Sequence, residues 1–474
     1  MPAIWNQITA GEIIIPIGGT WISGGQKTLI TGLSTDSRKT GPGELFLALR
    51  GDRFDGHEFI SKAIESGAAG AVVQKDLLSK GTYPESAVII AVDDTLKALG
   101  DLAGWWRYNH DVTVVAITGS AGKTTTKEMT SGILEMDGIT LKSQGNFNNL
   151  VGLPLTLLKL TEEFQNTVLE MGMNREGEIS RLTEIANPDV GVITNVGMAH
   201  LEGLGSLEGV AGAKTELIKK ISSKGKIIIN GDNELLVKTA SGFKREMTTF
   251  GLGEENDVVA VKVRDLGLDG ISFFLKYREK SRHIKLKVHG LHNVYNALAA
   301  AAVGTCLNVP SEHVIAGLES FSGIEGRLTV EVLSGGITLV DDTYNANPLS
   351  LKATLDSLEA LKRKGGRIII GLGEMMELGD ATGAAHLEAG RLVAGLGAHS
   401  LIAIGEHARE VINGAKGDNI SKKRAVAVQT REEMLEIIKK EMDRGDLVLL
   451  KGSRKMGLGK VADGLREINN KLPQ

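Results

Sequence analysis

The run Val114-Val115-Ala116-Ile117-Thr118-Gly119-Ser120-Ala121-Gly122-Lys123-Thr124-Thr125-Thr126-Lys127-Glu128 constrains the fold more than any other stretch of the chain. An apolar, β-branched run enters a turn of small residues, then Gly122-Lys123-Thr124, then a polar stretch able to begin a helix. A strand that hands over to a helix in this way presents backbone N–H groups and a positive helix end to an anion. Lys123 is placed to reach the terminal phosphates of a nucleotide, and the Thr124 hydroxyl to ligate Mg²⁺. The common spacing, Gly-x-x-x-x-Gly-Lys, calls for glycine at the position of Ile117; here the first glycine is Gly119. The loop is shortened, so alone it points to nucleotide binding without selecting a kinase or a GTPase.

Such a unit needs a parallel sheet around it, and the rest of the chain supplies the pattern. With 474 residues, roughly three domains are expected. Apolar strands alternate with helical stretches at Thr167–Leu169, Val190–Thr194 and Lys226–Ile229, which reads as a parallel sheet covered on both faces. Residues 257–290 read instead as β-hairpins added to it. The α/β rhythm restarts at Thr338–Val340, Arg367–Ile370, Leu401–Ile404 and Leu447–Leu450, as a small doubly wound domain. Before residue 95 the chain shows short strands and tight turns, and Asp94–Asn109 reads as a helix. The expected fold is α/β in three domains: 1–95, a small α/β unit; 96–325, a central parallel-sheet unit; and 326–474, a Rossmann-like unit.

Composition narrows the partners. Net charge is −4 and aromatics are 4%, which gives neither a basic footprint nor a stacking platform for nucleic acid. No uncharged apolar run reaches the roughly 20 residues of a membrane span, and no signal-peptide pattern opens the chain. The lone Cys306 excludes a disulfide within the chain and suits a reducing cytoplasm, where the protein is expected, as a monomer. Cys306 lies in an Ala-rich stretch and is expected to be a buried small hydrophobe.

Most polar candidates sit just past strand ends, where open α/β sheets bind ligands. Glu170 follows one strand and is a candidate Mg²⁺ ligand or a solvated loop carboxylate. His200 closes Thr194-Asn195-Val196-Gly197-Met198-Ala199-His200 and is either a ligand or a solvated histidine. Lys214, near the start of an expected helix, reads by position alone as a surface lysine. The loop Gly145-Asn146-Phe147-Asn148-Asn149 is rich in neutral donors and acceptors, suited to orienting a substrate or to building a turn. Asp341-Asp342-Thr343-Tyr344-Asn345-Ala346-Asn347-Pro348 follows a strand of the last unit; its carboxylates could bind ribose or a cation, or cap the helix after Pro348. His292-Asn293 precedes the Ala-rich helix. No Cys/His cluster spaced for zinc and no Gly-x-Ser-x-Gly elbow is present.

Taken in order, the phosphate loop, Gly145–Asn149, Glu170-Met171-Gly172, Asn195–His200 and His292-Asn293 resemble the Mur ligases, amide-forming enzymes of peptidoglycan precursor synthesis. The resemblance spans nearly the whole chain. Asp342–Pro348 and Lys451-Gly452-Ser453-Arg454 are most similar to the branch that joins D-alanyl-D-alanine to UDP-N-acetylmuramoyl-tripeptide. Near the N-terminus, Asp36-Ser37-Arg38 and Gly51-Asp52-Arg53-Phe54-Asp55-Gly56-His57 match that family's sugar-nucleotide domain.

The resemblance implies ATP and Mg²⁺, small-molecule substrates and an acyl-phosphate intermediate. It implies Gly119, Ser120, Ala121, Gly122, Lys123, Thr124 and Thr125 around the phosphates, with Asn293, Arg327 and Asp342 at the adenosine. Thr124, Glu170, His200 and Lys214 would hold metal, Lys214 after carbamylation as in several relatives, and Lys123, His200 and Lys214 would carry the chemistry. Ser34, Asp36, Ser37, Arg38, Asn146, Asn149, Tyr344, Asn345 and Asn347 would hold the substrates. Two departures are Glu374, where the family commonly has Asp, and Lys455-Met456-Gly457 after the Lys451–Arg454 motif. The rival readings are a ligase of a single amino acid, a folylpolyglutamate synthase, and a nucleotide-switched binding module.

Overall fold

The computed structural model describes residues 5, 8–51, 54–80, 83–277, 280–416 and 424–469. Asp52 and Arg53 of the Gly51–His57 motif lie outside the described residues. The chain is α/β throughout and forms three principal sheets. The first has five strands in the order Thr20–Ser23, Val88–Val92, Gly70–Gln74, Glu44–Leu47 and Gly32–Ser34, parallel except at the Thr20–Ser23 edge.

The central sheet has nine strands. Its parallel part places Val190–Ile193, Thr113–Thr118 and Asn166–Glu170 side by side. Beyond Thr248–Gly251 come Val258–Asp265, Ile271–Tyr277 and Lys280–Leu286, paired antiparallel as the expected hairpins. The third sheet has six strands, with the antiparallel edge Thr329–Val332 beside Thr338–Asp342 and four further parallel strands. Strands buried on both faces are runs such as Val114–Ile117 and Leu447–Leu450, which explains why apolar continuity rather than alternation marked them.

The helix Thr95–Tyr108 ties the first sheet to the second. Asp94 caps it, accepting from Leu96 N at 2.8 Å and Lys97 N at 3.0 Å. Its buried face, including Leu99, Leu102 and Trp106, joins one apolar core with Val92 of the first sheet and Leu153 and Leu182 of the central unit. The Trp106 indole donates to Leu160 O at 3.1 Å, and its ring stacks on Trp5. Asp94→Ala is expected to cost about 1 kcal/mol of stability, read as a lower urea midpoint, because two first-turn N–H groups lose their acceptor.

Three local expectations change. Lys214 does not sit near the start of its helix, which runs Leu207–Lys220 and is capped by Ser206. The Ala-rich helix begins at Leu291, so Asn293 lies in its first turn. Cys306 ends that helix half-buried rather than buried, because the last turn emerges from the core.

Candidate functional site

The three adjacent parallel strands of the central sheet all point their carboxyl ends at the loop Gly119–Gly122. Two glycines make that loop possible. At Gly119 (φ +151°) a Cβ would meet Thr194 Oγ1, and at Gly122 (φ +80°) it would meet Asn296 Oδ1. The next strand end clamps the loop: Asn195 Oδ1 accepts from Ala121 N at 2.9 Å, while Asn195 Nδ2 and Thr194 Oγ1 both donate to Ala121 O. Ser120 Oγ and the backbone of Gly197 complete the clamp at 2.9 Å. The helix Lys123–Leu134 starts directly after it, so the loop is held against a helix N-terminus.

Lys123 folds back over the loop, its Nζ donating to Gly119 O at 2.7 Å. Burial lowers its pKa and Arg327 adds to the effect, while Glu170 and Glu377 oppose it. Thr124 Oγ1 donates to Glu170 Oε2 at 2.7 Å and accepts from Arg327 Nη2 at 2.8 Å. Asn148 Nδ2 holds the other oxygen of Glu170 at 2.9 Å. The Thr124 hydroxyl and the Glu170 carboxylate are thus neighbouring hard oxygen donors, a pair that suits Mg²⁺. Among the described residues no three His, Cys, Asp or Glu side chains gather as a metal cage. A cation here would therefore draw further ligands from phosphate and water, as Mg²⁺ commonly does.

Lys214 lies behind the wall of this cleft, 1% exposed. Burial holds its pKa well below the ordinary lysine value, and Lys123 lowers it further. No carboxylate of the described residues pairs with it. His200 Nδ1 lies 2.7 Å from Glu377 Oε2 of the third unit, and hydrogen bonding from His200 is the largest effect lowering the Glu377 pKa.

The third unit builds the opposite wall. Asn347 caps the helix Pro348–Leu361, accepting from Ser350 N at 2.8 Å, and its amide nitrogen reaches Ser120 O at 3.4 Å. The cap is therefore Asn347 rather than either aspartate. Asp342 is held by Lys451 Nζ at 2.6 Å and Thr354 Oγ1 at 2.5 Å. Tyr344 has two guanidinium groups near its ring, Arg327 4.2 Å and Arg454 5.7 Å from the ring centre. Asn293 spends its side chain within its own helix region, donating to His289 O and accepting from Asn296. Burial pushes the neighbouring His292 down to about 4.

These walls enclose a cleft of about 1390 Å³, more than the roughly 300–1,000 Å³ of a single small-molecule pocket. It has room for a nucleotide and the ends of two further substrates. Of the residues expected from sequence, Ser120 through Thr125, Asn146, Asn149, Glu170, His200, Asn293, Arg327, Asp342, Tyr344, Asn345 and Asn347 line it. Gly119 and Lys214 stand behind them.

Ser34, Asp36, Ser37 and Arg38 do not line this cleft. Ser34 ends the Gly32–Ser34 strand of the first sheet and the other three follow it, where Arg38 donates to both oxygens of Asp36 and holds that carboxyl down to about 2. Asn149 builds its turn, accepting from Val151 N and Gly152 N. Four residues at the site were absent from the expected set: Asn148, Asn195, Glu377 and Lys451. Asn148, Asn195 and Lys451 lay inside motifs already singled out, and Glu377 lies three residues after Glu374, but only side-chain direction distinguishes Asn148 on Glu170 from its neighbours Asn146 and Asn149.

Three family models match successive parts of the chain. Residues 29–106 match the Mur ligase family, catalytic domain; residues 117–304 match the Mur ligase middle domain; residues 326–454 match the Mur ligase, glutamate ligase domain. A relative from Bacillus subtilis, UDP-N-acetylmuramoyl-tripeptide--D-alanyl-D-alanine ligase, is 36% identical over 93% of this chain and 94% of its own length. A crystal structure of MurF from Acinetobacter baumannii superposes with a TM-score of 0.87 at 32% identity, over 98% of this chain and 99% of that one. A MurF ligase from Thermotoga maritima in complex with ADP has a TM-score of 0.81 at 29% identity, over 93% and 98%.

Proposed function

The chain belongs to the Mur ligase family, and from that premise we propose that it joins D-alanyl-D-alanine to UDP-N-acetylmuramoyl-tripeptide at the expense of ATP. The observation that carries the reading is the single cleft in which the phosphate loop, Glu170, His200, Arg327 and the Tyr344–Asn347 segment meet. A close relative with that name and matched over nearly its full length supports it.

The chemistry follows from the poor electrophilicity of a carboxylate. The tripeptide carboxylate attacks the γ-phosphorus of ATP, an acyl phosphate forms and ADP leaves. The amine of D-alanyl-D-alanine, having lost a proton, then attacks the acyl carbon. The tetrahedral intermediate expels phosphate and leaves an amide. Two anions must approach in the first step, so cationic groups have to offset their repulsion. Lys123, over the loop, is assigned that role; Arg327, expected at the adenosine, is assigned to it as well because its guanidinium reaches Thr124, and the clamped loop N–H groups and helix N-terminus add to it. Mg²⁺, held by Thr124 and Glu170 with His200, would supply charge neutralisation at the phosphates.

Lys214 suits carbamylation on physical grounds: a buried amine with a lowered pKa is nucleophilic toward CO₂, and the resulting carboxylate would face Lys123. Asn293 and Asp342 are assigned to the adenosine side, Tyr344, Asn345 and Asn347 to the incoming dipeptide, and Asn146 and Asn149 to the tripeptide end. Ser34, Asp36, Ser37 and Arg38 are assigned to the UDP end, on a separate sheet, which suits a long precursor spanning two units. The corresponding domains are 1–95, 96–325 and 326–474. Among the described residues no helix is long and apolar enough to cross a membrane. The protein is assigned to the cytoplasm, as a monomer acting on small molecules.

Phosphate release from ATP, Mg²⁺ and UDP-N-acetylmuramoyl-tripeptide is expected to depend on D-alanyl-D-alanine. Dependence on a single amino acid or on glutamate would sink this reading. ATP turnover indifferent to every precursor would favour a nucleotide-switched binding module instead.

A further inference from the structure

Glu377 sits on the loop that follows the strand Ile368–Gly373 of the third unit. The loop is anchored on its own unit at three points. Met375 N donates to His386 Nε2, Met376 N to Ser453 Oγ, and Ser453 N to Glu374 O, each at 3.0 Å. His386, 1% exposed, is itself fixed through Nδ1 to Thr382 O at 2.7 Å. The tip of the loop reaches the central unit, where Glu202 N donates to Glu377 O at 3.4 Å.

Both residues that meet at this seam have left-handed backbones, Glu377 at φ +64° and His200 at φ +57°. Neither is glycine, and such conformations persist in other residues where the surroundings over-determine them. His200 Nδ1 is buried without an aligned hydrogen bond, while Glu377 Oε2 lies only 2.7 Å from it. A small turn of either side chain would align them. Hydrogen bonds at catalytic sites often tighten in this way when ligands arrive.

An imidazole offers a lone pair at one nitrogen when the other carries the proton, and a carboxylate on the protonated nitrogen fixes which is which. We propose that Glu377 is a positioning residue: supplied across the seam by the third unit, its carboxylate holds His200 in the Nδ1–H tautomer and presents Nε2 to the nucleotide-bound cation. The assignment rests on the ligase reading of the cleft. It makes the cation site complete only when the third unit is docked, so that phosphoryl transfer waits for the unit that carries the dipeptide residues.

The test uses the full chain with β,γ-methylene-ATP. Nitrogen-15 shifts of His200 with Mg²⁺ are expected to show the Nδ1–H tautomer in the wild type. Glu377→Asn keeps a residue tolerant of the left-handed backbone but shortens the side chain. It is expected to mix the tautomers and to weaken Mn²⁺ binding, followed by electron paramagnetic resonance, by about tenfold or more. Turnover falls with it while KM for the UDP precursor stays unchanged. Glu377→Gln, whose amide oxygen can accept the same N–H, is expected to recover most of the loss.

An Nε2–H tautomer in the wild type, an Asn variant with unaltered tautomer and Mn²⁺ affinity, or equal losses in the Asn and Gln variants would each overturn the assignment. If the Asn variant does not fold, the wild-type tautomer and the Gln variant still decide. Wild-type phosphate release that ignores D-alanyl-D-alanine would instead overturn the ligase reading, whatever Glu377 does.

Discussion

Lys123→Ala is expected to abolish measurable ligation, with kcat/KM down by about 10²–10³-fold or more, equivalent to ~3–4 kcal/mol of lost transition-state stabilisation. Its ammonium is the cation that lies over the phosphate loop itself, tied to Gly119 O and enclosed between Glu170, Arg327 and Glu377. Arg327 shares the task but cannot replace it, because its guanidinium is held by Thr124 and Tyr344 rather than over the loop carbonyl that Lys123 reaches. Binding of the UDP precursor should change by less than about 0.5 kcal/mol, since Ser34, Asp36, Ser37 and Arg38 lie on another sheet and share no partner with Lys123. Phosphate release and precursor binding by calorimetry, measured on one preparation, check both halves. Normal turnover would remove the phosphate role from this lysine.

Lys214→Met carries the second large effect: a loss of turnover of about 10²-fold, together with a native state at least as stable as the wild type. The two halves have separate causes. Activity falls because the carbamate, and the negative charge it would place opposite Lys123, cannot form. Stability holds because the variant replaces a 1%-exposed amine, which has no paired carboxylate, with an apolar side chain of similar length. The pH dependence follows from the direction of the shift. With its pKa held below 10.5, the folded protein binds fewer protons at this site than the unfolded chain as pH falls from that value. With bicarbonate excluded, so that the free amine is present, the wild type therefore loses stability from this group as pH falls, and Lys214→Met should flatten that slope in a series of thermal melts. Carbon-13 bicarbonate should give a carbamate resonance in the wild type that is missing in the variant. Unchanged activity in Lys214→Met would exclude the metal-ligand assignment.

Much of the site was legible as strand ends. Thr118, Glu170 and Thr194 each follow an apolar run, and parallel strands bring such ends to one side of the sheet. The phosphate loop was legible too, late glycine included. The fold explains that spacing: Gly119 must pass Thr194 without a Cβ, and Lys123 closes back on its carbonyl. What could not be read was the choice among similar neighbours. Asn146, Asn148 and Asn149 differ little in a linear sequence, yet Asn148 is the one that holds Glu170 and Asn149 the one that makes the turn. Asp341 and Asp342 are adjacent, yet alternation along their strand sends Asp341 to Arg466 and Asp342 to Lys451.

By itself, the sequence determined the α/β class, the three-part order of elements, the phosphate loop and the membership in an amide-forming family. Those depend on local pattern: apolar runs, turn residues and the spacing of short motifs. Tertiary structure alone decided which charges face one another. Arg327 on Thr124, Lys451 on Asp342, Lys123 near Lys214 and Glu377 on His200 join residues 91 to 203 positions apart. Lys451–Asp342 and Lys123–Lys214 follow from packing within one unit, and Arg327–Thr124 and Glu377–His200 from how the third unit sits against the central sheet; both depend on packing over whole surfaces, for which no short segment of the chain carries a signal.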